Sequence, residues 1–216
     1  MKKIPAFLII LAVAFSCKKG GNGNGSIITG ADIFPNKVGD TWVYNVEDTA
    51  YISSAVPVIS SYSMTVSVID SIQLSGTGWV KRWVYSYPGG SDTNYVYQHT
   101  DTISFLARVY NRLRLIRQYI IPIAIHSSWQ YSERYFPDPF HNVKVDSVAT
   151  IIVGGNSFKN SYFLNGVPGT PDDYFYIEEW VSDYTGVVRR YFNNRGLTTN
   201  PYQHNTKWAL QSYHLE

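Results

Sequence analysis

The sequence predicts an all-β fold, a curved antiparallel sheet forming a partly open barrel or a sandwich. Three observations predict it. Charged residues make up only 16% of the 216-residue chain and aromatic residues another 16%, whereas ordinary domains carry about 25% charge. Apolar and polar residues alternate in run after run, as half-buried strands require. Clusters of Gly, Pro, Asn and Asp separate those runs at hairpin spacing.

The first element is a leader. Lys2 and Lys3 precede the apolar run Ile4 to Phe15, and Ser16-Cys17 follows. The run has the length of a signal-peptide apolar region and is shorter than the ~20 residues that span a bilayer. Ala14-Phe15-Ser16-Cys17 resembles a lipobox, with Ala14 and Ser16 as looser choices than the usual Leu and Gly or Ala. By that resemblance residues 1–16 are a lipoprotein signal peptide, and Cys17 becomes the acylated first residue. The competing reading is an ordinary secretory signal with a chance cysteine. Cys17 is the only cysteine, so the mature chain forms no internal disulfide. Cleavage removes Lys2 and Lys3 from the 18 basic side chains, and the remainder balances the 16 acidic ones. A neutral chain offers nucleic acid no electrostatic footprint.

Residues 17–29 form the lipidated cysteine and a tether. Lys18 to Ser26, KKGGNGNGS, lacks the apolar side chains needed to order itself. Residues 30–216 are expected to form a single β-rich domain, large enough for its own core. Met64, Val66, Val68, Ile72 and Leu74 alternate with polar residues and predict one strand face. Trp79, Trp83, Tyr85 and Tyr87 share a face of the next strand. Pro88-Gly89-Gly90 then turns the chain into Tyr95-Val96-Tyr97. Phe105 to Ile120 fits either a helical stripe, through Leu106, Val109, Tyr110, Leu113 and Ile116, or a strand; its neighbours favour strand. Val143 to Val153 reads as a strand returning through Gly154-Gly155-Asn156 into Phe158 to Leu164. Tyr174 to Val181 pairs with Val187 to Phe192, and Trp208 to Leu215 closes the chain.

One segment echoes another. Phe34 to Tyr44 lies on Ile121 to Tyr131 with Pro, Trp and Tyr coinciding and Val38 over Ile125. The echo implies two similar half-sheets inside one domain, or else coincidence among common β-sheet residues.

The same stretch carries a resemblance. FPNKVGDTWVY is similar to the opening of a group of poorly characterised Bacteroidota lipoproteins that begin FPLKxGNxWxY after the lipidated cysteine. IIVGGNSFKNSY, DYTGVVRRYF and the terminal Trp208-Ala209-Leu210 with Tyr213 resemble later segments of that group, in order. Asn36 and Asp40 are the mild departures. The resemblance implies fold and cell-envelope location and carries over no catalytic residue. Lys18 and Lys19 follow Cys17 where Bacteroidota surface-export signals have an acidic run, which favours the periplasmic leaflet of the outer membrane.

Chemical motifs are sparse. His99, His126, His141, His204 and His214 show no i, i+4 pairing, and there is no C-x-x-C, so no metal site or cofactor is expected. There is no G-x-S-x-G elbow. Asp138, Asp172 and Asp173 lack the D-x-D-x-D-G calcium loop. Glu178 and Glu179 are neighbours in a strand and must point to opposite faces. Glu178 shares its face with Tyr174, Tyr176 and Trp180. A carboxylate among aromatic rings suits a glycan, although the same pattern serves a solvated strand face. Arg108, Arg112, Arg114 and Arg117 are the densest charge cluster, suited to an anion or to a solvated face. The expected function is non-catalytic binding of a hydrophobic ligand or envelope partner by a lipid-anchored protein. A glycan-binding module is the alternative, and a hydrolase with scattered residues is the third reading.

Overall fold

The computed structural model describes residues 33–51, 56–132, 142–167, 175–194 and 203–216. The signal segment, Cys17 and the tether lie outside the described residues, as do Asp138, His141, Asp172, Asp173 and Tyr174. The first six strands are β1 (Thr41–Tyr51), β2 (Val58–Leu74), β3 (Gly78–Tyr87), β4 (Gly90–Gln98), β5 (Thr102–Val109) and β6 (Arg112–Ile120). The second six are β7 (Ser128–Gln130), β8 (Asn142–Val153), β9 (Asn156–Val167), β10 (Phe175–Ser182), β11 (Gly186–Asn194) and β12 (Gln203–His214). All twelve form one antiparallel sheet in the order β6-β5-β4-β3-β2-β1-β12-β11-β10-β9-β8-β7. The sheet curls into a nearly closed barrel whose one unsealed seam lies between β6 and β7. The fold is therefore the partly open barrel, not the sandwich.

Alternation decides the inner face. Trp42, Tyr44 and Val46 of β1, Met64, Val66 and Val68 of β2, and Ile177 and Val181 of β10 are all buried. Their rings and branches fill the barrel. Trp42 stacks on Trp83 at 4.7 Å, and Phe105 meets Tyr119 edge-on at 6.0 Å. Such pairs add about 0.5–1.5 kcal/mol each beyond the burial of their area. Ile33 and Phe34 plug one end, where Phe34 packs 4.3 Å from Tyr119.

Bulges alter the pattern that alternation predicts. Val68 faces Trp83, but Asp70 faces Arg82, so Ile69 is an extra residue in β2. An extra residue reverses the side-chain parity beyond it. Ile72 and Leu74 therefore lie on the opposite face from Met64, Val66 and Val68, against the single face expected. Trp79 keeps the face of Trp83 and Tyr85, because the extra residue lies in β2 and not in β3, but it falls outside the core and is 66% exposed. β1 begins at Thr41 opposite Ser67, so the hairpin beyond Val68 projects past its neighbour and leaves Trp79 uncovered. Phe105 to Ile120 holds strands rather than a helix, but two of them, reversing at Tyr110-Asn111 with φ of 49° and 62°. A second bulge at Ile116 shifts the register there. The reversal and the bulge together interrupt the period of two and counterfeit a helical stripe.

The sequence echo has a structural counterpart. Gly39 and His126, equivalent in the alignment, both adopt positive φ, 106° and 68°. Gly39 N–H donates to Val68 O at 2.9 Å, and His126 N–H donates to Val145 O at 2.9 Å. The return bonds match as well, Val68 N–H to Asp40 O and Val145 N–H to Ser127 O, each 2.9 Å. Trp42 pairs with Val66, and Trp129 pairs with Val143. The bulge after Val68 has its twin after Val145. Each half is thus a six-stranded meander that starts at a proline-led turn and a tryptophan.

The two tryptophans also exchange partners. Trp42, in the first half, donates its indole N–H to Thr185 O in the second at 2.8 Å. Trp129, in the second half, donates to Gln118 O in the first at 2.7 Å. The latter bond spans the seam between β7 and β6. Trp129→Phe should lower unfolding stability by about 1–3 kcal/mol, the cost of stranding a carbonyl plus imperfect filling. Hydrogen exchange should accelerate selectively in β6 and β7; an unchanged exchange pattern there would contradict the seam role.

Candidate functional site

Two chemically distinct regions lie on the two faces of β10. Ile177, Glu179 and Val181 point inward, and Tyr176, Glu178 and Trp180 point outward, as period two requires.

Inside, Glu179 is fully buried. It accepts a hydrogen bond from Tyr119 Oη at 2.7 Å. Its other carboxylate oxygen lies 3.3 Å from Arg190 Nε and 3.7 Å from Arg117 Nη1. Arg117 also donates to Tyr85 Oη at 3.0 Å and covers the Phe105 ring at 4.0 Å. Arg190 lies 4.9 Å from the Trp208 ring. Burial works against the Arg117 charge, and the surrounding Tyr119, Tyr85 and Tyr131 oxygens and Glu179 more than restore it. Burial pushes the phenols of Tyr44, Tyr119 and Tyr131 well above the ordinary tyrosine range. Between Phe34, Trp42, Tyr44, Trp83, Arg117 and Trp208 the remaining void is about 10 Å³. That is about the room for one water, and a hydrophobic ligand has no space at this level of the barrel.

Outside, a cleft of about 580 Å³ crosses β9, β10, β11, β12 and β1. Strand pairing builds it in rungs. One rung runs Phe163, Trp180, Arg189, Ala209, Asn45. The next runs Asn165, Glu178, Tyr191, Lys207, Glu47. A bulge at Val188, beside Trp180, bends the sheet here. Phe163 and Trp180 rings lie 5.0 Å apart, tilted by 34°. Tyr176 donates to Glu178, which pushes the Tyr176 phenol up to about 12. Lys207 meets Glu47 at 2.7 Å. The cleft therefore presents an aromatic platform beside the outward-facing Arg189, Lys207, Glu178 and Glu47, two charges of each sign, while Arg190, which also lines it, turns its guanidinium to buried Glu179. Such a surface suits a neutral ligand with many hydroxyl groups better than an ion.

The arginine cluster is split. Arg117 is buried in the barrel, Arg114 is half-buried, and Arg108 and Arg112 are exposed. Past the bulge at Ile116, Arg114 pairs with Ala107, on the Phe105 side of the sheet, while Arg108 takes the other side. Arg108 joins Tyr85, Asp92, Asn94, Arg190 and Trp208 around a polar opening of about 500 Å³.

A histidine does reach a carboxylate. His204 Nε2 lies 2.8 Å from Asp48 Oδ1. Asp48 pairs with Ser60 on β2, while His204 lies on β12, on the other side of β1. The hydroxyl in reach of Asp48 is that of Thr206, at 3.5 Å, so the carboxylate stands between hydroxyl and imidazole, whereas nucleophilic catalysis needs the imidazole in the middle. Among the described residues no cluster of three metal-ligating side chains occurs.

Sequence reasoning placed Tyr176, Glu178 and Trp180 on one face, and that face lines the cleft. It missed Phe163, Arg189, Tyr191, Lys207, Asn45 and Glu47, which only cross-strand register brings there. It also passed over Glu179 as a buried charge. The signal was present: apolar Ile177 and Val181 flank it at i±2, so its face had to be the core face.

No protein-family model and no curated protein matches the chain. Two solved structures are similar to it. One, described as a lipoprotein from Parabacteroides distasonis ATCC 8503, is 16% identical with a TM-score of 0.44, covering 84% of this chain and 98% of that one. The other, described as an exported protein with a YmcC-like fold from Bacteroides fragilis NCTC 9343, is 13% identical with a TM-score of 0.42, again covering 84% and 98%.

Glu179→Gln should cost about 3–5 kcal/mol of unfolding stability, because Arg117 and Arg190 lose their buried counter-charge. Glu178→Gln, one residue away on the wet face, should cost less than about 1 kcal/mol; equal losses in urea titrations would refute this difference. Alkali supplies a second measurement. The folded state holds Tyr44, Tyr119 and Tyr131 protonated above pH 10, where the unfolded chain releases those protons. Their stabilisation is complete below pH 10 and declines above it, by about 1.4 kcal/mol per pH unit for each phenol. Denaturant midpoints should fall steeply from pH 10 to 11, and less steeply in Tyr44→Phe.

Proposed function

We propose that this protein is a lipid-anchored cell-envelope lipoprotein whose barrel is a non-catalytic carbohydrate-binding module. Cys17, in its lipobox-like setting, supports the anchor, and the outer membrane, facing the periplasm, is the favoured site. The observation that carries the binding role is the cleft of about 580 Å³ holding Phe163 and Trp180 beside Glu178, Arg189 and Lys207. Aromatic faces pack on sugar C–H surfaces, and the charged side chains accept and donate hydrogen bonds to hydroxyls around them. The cleft is preformed by hydrogen-bonded strands, so ligand binding needs little ordering of the backbone. A balanced charge set favours a neutral glycan.

The test has two arms. Detergent-phase partitioning of the exported protein should be lost in Cys17→Ser; retention would remove the anchor. Glycan-array binding followed by calorimetry should find a neutral oligosaccharide, with Trp180→Ala weakening it about tenfold, equal to about 1.4 kcal/mol. Absence of glycan binding by the folded domain, or affinity indifferent to Trp180→Ala, would discard the carbohydrate reading.

A further inference from the structure

The barrel has two unlike ends. The described chain begins at Ile33, which with Phe34 plugs one end. The turns before β1 and β7, the β2–β3, β4–β5, β8–β9 and β10–β11 turns, and the end of β12 all belong to that plugged end. Among the described residues twelve large hydrophobic side chains are exposed, and eight of them lie there. Six mark its rim: Val38 (47% exposed), Trp79 (66%), Ile125 (50%), Ile152 (75%), Tyr184 (56%) and Tyr213 (45%).

Their placement is not scattered. Val38 and Ile125 occupy equivalent sites in the two halves. Trp79 and Ile152 each sit beside the tip of a long hairpin, β2–β3 and β8–β9, and those hairpins are structural counterparts. The rim therefore presents apolar side chains on turns of both halves, interrupted at the β4–β5 turn by the exposed His99 and Asp101. The remaining four, Val56, Val58, Ile59 and Tyr110, lie at the opposite end. That end also holds the polar opening lined by Asp92, Asn94, Arg108 and Arg190, and the Asp48–His204 pair. Desolvating those groups would be costly, so the opposite end favours water.

We infer that the plugged end docks on a lipid surface, with Trp79, Tyr184 and the branched side chains seated at the headgroup boundary. This rests on the lipid anchor proposed above. Cys17 is sixteen residues before Ile33, and sixteen residues span at most about 55 Å in any conformation. The anchored chain thus joins the barrel at the very end that carries the apolar rim. Trp and Tyr are the side chains that settle at membrane interfaces, having an apolar body and a polar tip. Lys37 is already engaged by a Glu216 oxygen at 2.6 Å, and the docking proposed is by apolar insertion. The carbohydrate cleft, on the side wall, stays open to solvent in this orientation.

The sole cysteine makes a direct test feasible without relying on natural acylation. The mature chain is coupled through Cys17 to maleimide-phospholipid in phosphatidylcholine vesicles containing doxyl-labelled lipid. Tryptophan fluorescence should be quenched, and Trp79→Phe should remove most of that quenching. Ile152→Trp in the Trp79→Phe background should restore it, and Tyr110→Trp in the same background should not. Quenching that is absent, or indifferent to Trp79→Phe, overturns the inference, as does quenching of the Tyr110→Trp variant. A solution dimer that Trp79→Ser dissolves would assign the rim to a second copy and overturn it equally. Failure of natural acylation leaves this readout unaffected, because the coupling is chemical.

Discussion

Glu179 is the buried charge on which the two halves of the barrel converge. The halves share one hydrogen-bonded strand junction, β1 with β12. Every other tie between them must cross the interior or the seam. Glu179 of β10 takes its hydrogen bond from Tyr119 of β6 and lies within 4 Å of Arg117 of β6 and Arg190 of β11. A carboxylate stripped of water is tolerable only when cations and donors surround it. Those partners come from opposite halves, so the charge is satisfied only when the sheet has curled. An open, flat arrangement of the same strands would leave each member of the group exposed to competing water. The group thus favours one curvature, in addition to holding strands together.

The exchanged tryptophans act in the same sense. Each half begins with the same proline-led turn and the same indole, and each indole finds its acceptor in the other half. Internal repetition supplies two copies of a half-sheet that cannot bury its inner face alone. Closure buries both faces at once. The seam remains because β7 is three residues long and provides too few backbone groups to form a ladder with β6. Trp129 bridges the gap with one bond.

This architecture separates placement from recognition. The interior is occupied by rings and by the Glu179 group, so it supports the fold. The outer wall is where rungs of side chains meet across five strands and a bulge makes them concave. The plugged end carries the apolar rim and the start of the described chain. Wall and end lie roughly at right angles in a barrel, so a surface-docked domain can still present its cleft sideways.

Much of this was legible in the sequence, for a physical reason. Alternation is a local property: Trp42, Tyr44, Val46 and Met64, Val66, Val68 declare their inner face without reference to any neighbour, and so do Tyr176, Glu178 and Trp180 for the outer one. Turn residues are local as well, and the repeated Pro-x₆-Trp-x-Tyr segment, which sequence alone leaves open to coincidence, stands at the start of each half. What the tertiary structure decided is everything that depends on register. An extra residue at Ile69 or Ile116 flips the face of all that follows, and nothing in the side chain of an isoleucine marks it as the bulge. Trp79 is exposed because its hairpin outruns its neighbour, which is a fact about strand ends. Arg117 is buried and Arg108 is not, although both stood in one cluster, because a bulge lies between them. The cleft joins residues from Asn45 to Ala209 through cross-strand partners. Sequence separation carries no information about that, since hydrogen-bonded neighbours are chosen only when the sheet closes.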